Sequence, residues 1–430
     1  MGIMQKSLDR KLAAIAANPQ CGEFILADAK DADMAFGISS PGKNVGATRP
    51  RNIVEYRDII RQVIRQGLVD IVLMSASNNE ILTIEERLFD HSPVTPAARG
   101  NDASDVFAVR GGRYVTEPAA PFRSASLDHI MAGRIDCPDS ERSRGSDLGL
   151  YSVTFTNHLE RDLKTLETYR EFRHEAERKG FRHFLEVFDP NVDCGLSPEE
   201  IPPFINDMIV RTLAGVTKKG RPVFLKIVYH GPESMEELVA YDPSLVVGIL
   251  GGSAGTTYDA FKMLAEAKKY GAKAALYGRK INASEQPLAF IHFLRLIADG
   301  QISAEEAVRG YHGVLQQLGI PPHRSLEEDM MLRTGVMSYA GNGTTTSIPG
   351  LTPGGRPASP SSPSSSPRVT TSSSSTAPNG ASNGVSANGD SPNFGSMNSE
   401  ERLAYHRQRI ARLMGEGSSV TVNAFARTGD

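Results

Sequence analysis

The sequence has no cysteine framework, no long apolar run and no excess of one charge. Its three cysteines, Cys21, Cys137 and Cys194, are far apart, with no CxxC pair and no histidine cluster at metal-ligand spacing. That excludes a disulfide-stapled scaffold and a zinc site, and predicts reduced thiols in a cytoplasmic protein. No apolar run approaches the ~18 residues of a membrane span. Lys6, Asp9, Arg10 and Lys11 precede only a short alanine-rich stretch, so no signal peptide is expected either. Lys and Arg total 47 against 50 Asp and Glu, a formal net charge of −3. This near balance gives no electrostatic footprint for nucleic acid or an anionic membrane. Neither a metal nor a cofactor is expected.

What is present is a succession of short apolar runs separated by longer amphipathic stretches, the pattern of βα units around a parallel sheet. About eight runs are counted. They are Phe24 to Ala27, Asp70 to Met74, a third within Val94 to Val109, Leu148 to Phe155, Phe184 to Phe188, Val223 to Val228, Leu245 to Leu250, and Ala272 to Tyr277. Eight such units predict a TIM (β/α)8 barrel over residues 1–335. Gly100 to Gly145 is too rich in Arg, Gly, Pro and Asp for regular structure and reads as a long loop at the barrel mouth. Residues 336–396, almost entirely Ser, Pro, Thr, Gly and Asn, read as a disordered linker. An amphipathic helix over 397–415 follows, with Leu403, Ile410, Leu413 and Met414 on one face, then a disordered tail over 416–430.

Three features carry chemistry. Lys226 lies in Val223-Phe-Leu-Lys-Ile-Val228, where alternation turns Leu225 and Ile227 to the helices and Phe224, Lys226 and Val228 into the barrel. Desolvation disfavours an inward ammonium and favours the neutral amine, which attacks carbonyls. Pairing with a structural carboxylate such as Glu186 explains an inward lysine equally well. The second feature is Leu250-Gly-Gly-Ser-Ala-Gly-Thr-Thr257, a glycine-rich turn whose backbone N–H groups suit a phosphate. The third is Leu276-Tyr-Gly-Arg-Lys280 after the eighth run, since barrels of this kind often bind phosphate with the loops after strands seven and eight. A tight turn and a solvated cation are the plainer readings of each alone. Ser75 and Ser77, at the end of the second run, stand where substrate contacts occur, or cap the following helix.

The order Lys226-Ile-Val-Tyr-His-Gly231, then Leu250-Gly-Gly-Ser253, then Tyr277-Gly-Arg-Lys280 resembles the last three strands of class I aldolases of the DeoC/LacD type. That superfamily includes tagatose-bisphosphate and archaeal-type fructose-bisphosphate aldolases, and the resemblance runs from about Phe24 to Gly319. It implies a carbon–carbon lyase that acts without metal on a phosphorylated ketose. Lys226 would form the Schiff base, and Gly251, Gly252, Ser253, Gly278 and Arg279 would hold the phosphate. Glu186 resembles the strand-five glutamate beside the Schiff base, and Asp28 the first-strand aspartate. Asp31 and Asp33 read as solvated loop charges.

Two family positions differ. The strand-four lysine of tagatose-type enzymes is absent, with Tyr151, Ser152 and Thr154 in that region, and Phe188 stands where archaeal-type enzymes have a tyrosine. Glu186, Tyr151 or Tyr229 would then supply the proton. A sugar-phosphate binding or regulatory barrel is the alternative, with the C-terminal helix docking an unknown partner. The family also implies a homo-oligomer. Arg110, Arg113 and Arg123, in the long loop, would reach a second phosphate or pair with surface acids.

Overall fold

The β-branched and leucine-rich runs form strands whose side chains are buried on both faces, as parallel strands covered by helices require. The computed structural model describes residues 4–106, 109–252, 255–334 and, apart from 399, 402, 403, 406 and 409, residues 397–410. Eight parallel strands close into one barrel in sequential order. They are β1 (Ile25–Lys30), β2 (Ile71–Met74), β3 (Thr95–Arg99), β4 (Leu148–Thr154), β5 (Arg182–Phe188), β6 (Leu225–Ile227), β7 (Val247–Leu250) and β8 (Ala274–Tyr277). Each predicted run holds one strand, and the third settles at Thr95–Arg99, before the glycine-rich loop begins.

The principal helices are α1 (Ser7–Ala17), α2 (Ile53–Gln66), α3 (Leu159–Lys179), α4 (Ile201–Ala214), α5 (Pro232–Tyr241), α6 (Thr257–Lys269), α7 (Pro287–Ala298) and α8 (Ala304–Gln317). Local sequence sets several of their starts. Asn52 with Glu55, Thr256 with Asp259, and Ser303 with Glu306 form reciprocal capping boxes at α2, α6 and α8. The long loop between β3 and β4 is partly ordered by a two-residue antiparallel ladder and a short helix, Leu127–Ala132.

The barrel interior is closed at the amino ends of its strands. Leu8 and Ile15 of α1 pack against Ile25, Ile71, Leu148, Phe184 and Phe224 inside the barrel. A buried ionic knot ties this plug down. Asp70 Oδ2 accepts from Lys11 Nζ at 2.7 Å and from the backbone N–H of Leu26 at 2.8 Å, with Arg295 of α7 at 3.4 Å. Only the carboxyl ends of the strands therefore remain open for a site.

The C-terminal helix, for which the sequence names no surface, lies on the barrel's own helix layer. Ile410 is 2% exposed and joins the main apolar cluster that holds α7 and α8. Arg407 donates to the carbonyl of Arg309 at 3.4 Å, passing over Gly313 of α8 where a Cβ would meet its guanidinium at 2.7 Å. The predicted linker 336–396, Leu403, and the predicted helix end and tail beyond 410 lie outside the described residues. No described helix is long and apolar enough to cross a membrane.

Candidate active site

Strand register decides which side chains meet. Cα pairing sets Ser152 of β4 opposite Glu186 of β5, and Glu186 opposite Lys226 of β6, so all three project inward at one level. The ammonium of Lys226 pairs directly with Glu186 Oε1, and Ser152 Oγ donates to Glu186 Oε2 at 2.6 Å. Arg99, at the end of β3, donates to Ser152 Oγ at 3.0 Å and to Asp31 Oδ2 at 2.8 Å, and its other nitrogen lies 3.8 Å from Glu186. Burial pushes the Glu186 carboxyl up, but Lys226, Arg99 and the serine hydroxyl together hold it below the usual carboxylate range. The lysine and its acid thus form one buried, fully engaged ionic layer.

Above and beside that layer opens a cavity of about 620 Å³, part of it open to solvent. Lys226, Glu186, Arg99, Asp31, Arg279 and the backbones of Gly251, Gly252 and Gly278 line it. The glycines allow close approach. A Cβ on Gly251 would enter the ring of Tyr277, and one on Gly278 would come within 2.5 Å of the Ala29 carbonyl. Gly252 has φ +59°, in the left-handed region that glycine adopts without strain. The Arg279 guanidinium sits 5.1 Å from the Phe36 ring centroid, and burial lowers it to about 10 although Glu186 pulls the other way. Ser253 lies outside the described residues.

The start of α6 is less available to a ligand than the sequence suggests. The Thr256 N–H donates to Asp259 Oδ2 at 2.6 Å and the Thr257 N–H to Asp329 Oδ1 at 2.8 Å. Residues after α8 form a strap here: Thr256 Oγ1 donates to the Met331 carbonyl at 2.9 Å, and the Thr334 N–H to Asp259 at 3.0 Å. Lys280 Nζ donates to the Gly255 carbonyl at 2.8 Å, and burial lowers this lysine to about 8. The rim facing the cavity therefore consists of the turn at Gly251 and Gly252 together with Gly278 and Arg279.

Several expected contacts lie elsewhere. Asp28 projects to the helix side of β1, in register with Val72 and Tyr277 of the outer layer, and its carboxylate pairs with Lys30 at 3.0 Å. The inward residues of β1 are Ile25, Ala27 and Ala29, so the acid that reaches the cavity is Asp31, which is buried rather than solvated. Asp33 is likewise engaged, accepting from Ser75 Oγ at 2.7 Å and Asn78 Nδ2 at 3.0 Å. Ser75 caps the next helical turn, and Ser77 Oγ lies 3.3 Å from Ser75 Oγ. Neither serine lines the cavity.

Tyr151 faces outward against Tyr169 and Phe172 of α3, with ring centroids 5.0 and 4.5 Å away. Burial raises its hydroxyl to about 12. Tyr229 is buried in the same outer cluster, and burial raises its phenol above the usual value. The strand wall stands between both tyrosines and Lys226. Of the loop arginines, Arg123 pairs with Glu175 at 2.6 Å and stacks on Phe172, while Arg110 and Arg113 are exposed.

Arg99 was not singled out by sequence reasoning. The signal was an arginine at the carboxyl end of a barrel strand, in Thr95-Pro-Ala-Ala-Arg99, hidden by the uncertain limits of the third run.

A buried lysine–carboxylate pair thus lies at the carboxyl mouth of a (β/α)8 barrel, beside a glycine–arginine rim. The fold is similar to the fructose-bisphosphate aldolase from Slackia heliotrinireducens, at 13% identity and a TM-score of 0.51, over 70% of this chain and 89% of that one. It is also similar to an archaeal fructose 1,6-bisphosphate aldolase, at 16% identity and a TM-score of 0.49, over 68% of this chain and all of that one. No protein-family model and no curated protein matches the chain. At 13% identity the first of these likenesses shows the fold alone.

Proposed function

We propose that this protein is a class I aldolase that cleaves a phosphorylated ketose through an imine on Lys226. The observation that carries the reading is the direct contact of Lys226 with Glu186 inside a cavity rimmed by Gly251, Gly252, Gly278 and Arg279. Attack on a ketone requires an uncharged amine, and Glu186 is placed to take the proton from Nζ. Nζ bonds to the carbonyl carbon, protonated Glu186 returns its proton to the carbinolamine hydroxyl, and loss of that hydroxyl as water leaves an iminium beside a Glu186 carboxylate. A base then removes the proton of the hydroxyl two carbons away, the carbon–carbon bond breaks, and the electron pair moves into the iminium to give an enamine and a free aldehyde. Glu186 serves as that base, with Ser152 and Arg99 fixing its orientation. Protonation of the enamine and hydrolysis then release the second product and restore the amine. The glycine turn and Arg279 hold the substrate phosphate and present the ketone to Lys226.

The test is borohydride reduction in the presence of dihydroxyacetone phosphate, followed by peptide mapping. A single adduct on Lys226, lost in Lys226→Met, is expected. An adduct on another lysine, or phosphate-ester binding with no adduct, would overturn the reading; the second outcome would leave a sugar-phosphate binding barrel.

A further inference from the structure

The two walls of the cavity differ in charge. The grip lies at β7 and β8; in the closed strand order the wall facing it is β3 to β5. On that facing wall Arg99 is already bound to Asp31 and Ser152 and lies beside Glu186. Behind it lie two more buried acids. Asp105 accepts from Thr154 Oγ1 at 2.8 Å, and Asp102 from Ser124 Oγ at 2.9 Å. Three carboxyls, Asp31, Asp102 and Glu186, thus stand around Arg99, and Asp105 neighbours Glu186. Burial, with Glu186 as a like-charged neighbour, pushes the Asp105 carboxyl above its usual range, which marks a place where further negative charge is disfavoured. Among the described residues, no other cation lines this side of the cavity. Of the loop arginines, Arg123 is held outside the barrel by Glu175 and the Gly100 carbonyl.

Apolar side chains span the mouth from that wall to the end of β7. Val106, Phe188, Val228 and Leu250 form one cluster with Ala35 and Ala103 at the mouth. A dianionic phosphate placed there would lose water to an apolar surface and meet Asp31 and Glu186, while the guanidinium of that wall, Arg99, is already engaged by Asp31 and Ser152. Resting on the aldolase reading above, we infer that the substrate is a ketose with a single phosphate, held at β7 and β8, whose other fragment leaves as an uncharged aldehyde. Phe188 and Val106 are the specificity-determining side chains, and Asp31 and Glu186, which line the same cavity, reject a phosphorylated aldehyde.

The experiment runs the reaction in the condensation direction with the full chain. Dihydroxyacetone phosphate is offered with either glyceraldehyde or glyceraldehyde 3-phosphate, and trapping of dihydroxyacetone phosphate on Lys226 is measured in parallel. A kcat/KM at least about tenfold higher for the uncharged aldehyde is expected, since like-charge juxtaposition costs several kcal/mol. Val106→Lys should shift the ratio toward the phosphorylated aldehyde by about tenfold with trapping retained. Preference for glyceraldehyde 3-phosphate with normal trapping would overturn this inference and leave the imine mechanism standing. An unchanged ratio in Val106→Lys would overturn the charge argument, and absence of any Lys226 adduct would overturn the inference together with the mechanism beneath it.

Discussion

At the scale of single residues, the site depends on charges that are each engaged by more than one neighbour. Glu186 receives Lys226, Ser152 and, at longer range, Arg99. Replacing it by Gln keeps the shape and removes the base. Glu186→Gln should lower turnover by about 10²- to 10⁴-fold while some Lys226 trapping persists, measured by steady-state kinetics beside borohydride labelling. Asp70 is the contrasting case. Its carboxylate holds Lys11 and Arg295 at the closed end of the barrel, far from the mouth. Asp70→Ala leaves two buried cations without their acid and should cost about 3–5 kcal/mol in chemical denaturation, with the kcat of the folded fraction unchanged.

At the scale of elements, the strap after α8 links the chain beyond the barrel to the start of α6. Asp329 receives the Thr257 N–H at 2.8 Å and His312 Nε2 at 3.0 Å. Burial pushes the Asp329 carboxyl up, yet His312 and the Thr257 donor outweigh it and hold the acid below its usual range. A carboxyl with a depressed folded-state pKa contributes stability above its unfolded value, and that contribution is lost as pH falls through the folded value. Asp329→Ala should therefore be destabilised by about 1–3 kcal/mol at neutral pH. The deficit should hold down to about pH 4 and shrink below it, followed by denaturant midpoints across a pH series. The glycines of the rim act at the same scale: Gly278→Ala should push the turn off the Ala29 carbonyl and raise KM for the phosphorylated substrate more than it lowers kcat.

At the scale of the whole molecule, the last described helix is part of the folded body. Ile410 is buried against the cluster formed with α7 and α8, and Gly313 leaves room for Arg407. Ile410→Asp places a charge in that contact and should release the helix. Limited proteolysis should then cut near 397–410 at least about tenfold faster, because an undocked segment opens without the cost of breaking apolar contacts. The thermal midpoint of the barrel should change little, since the eight strands and α1 to α8 are complete without it.

The sequence by itself determined the barrel, its eight strands and the inward direction of Glu186 and Lys226. Leu185, Val187, Leu225 and Ile227 were unmistakable outward neighbours, and the glycine–arginine pattern after β7 and β8 was local in the chain. Parity on β1 was not legible. In Ile25-Leu-Ala-Asp-Ala-Lys30 every residue is buried, so alternation vanishes and Asp28 reads as well inward as outward. Cross-strand register alone turned it to the helices and brought Asp31 in. The same holds for Tyr151 and Tyr229, whose aromatic rings suit either face. Arg99 came into the site because Asp31, 68 residues away, bonds to it. Likewise, the occupied start of α6 depends on Asp329, 72 residues beyond Thr257. Periodicity fixes what a strand is; which charges meet is decided by long-range pairing, because an ion pair has no pattern along the chain.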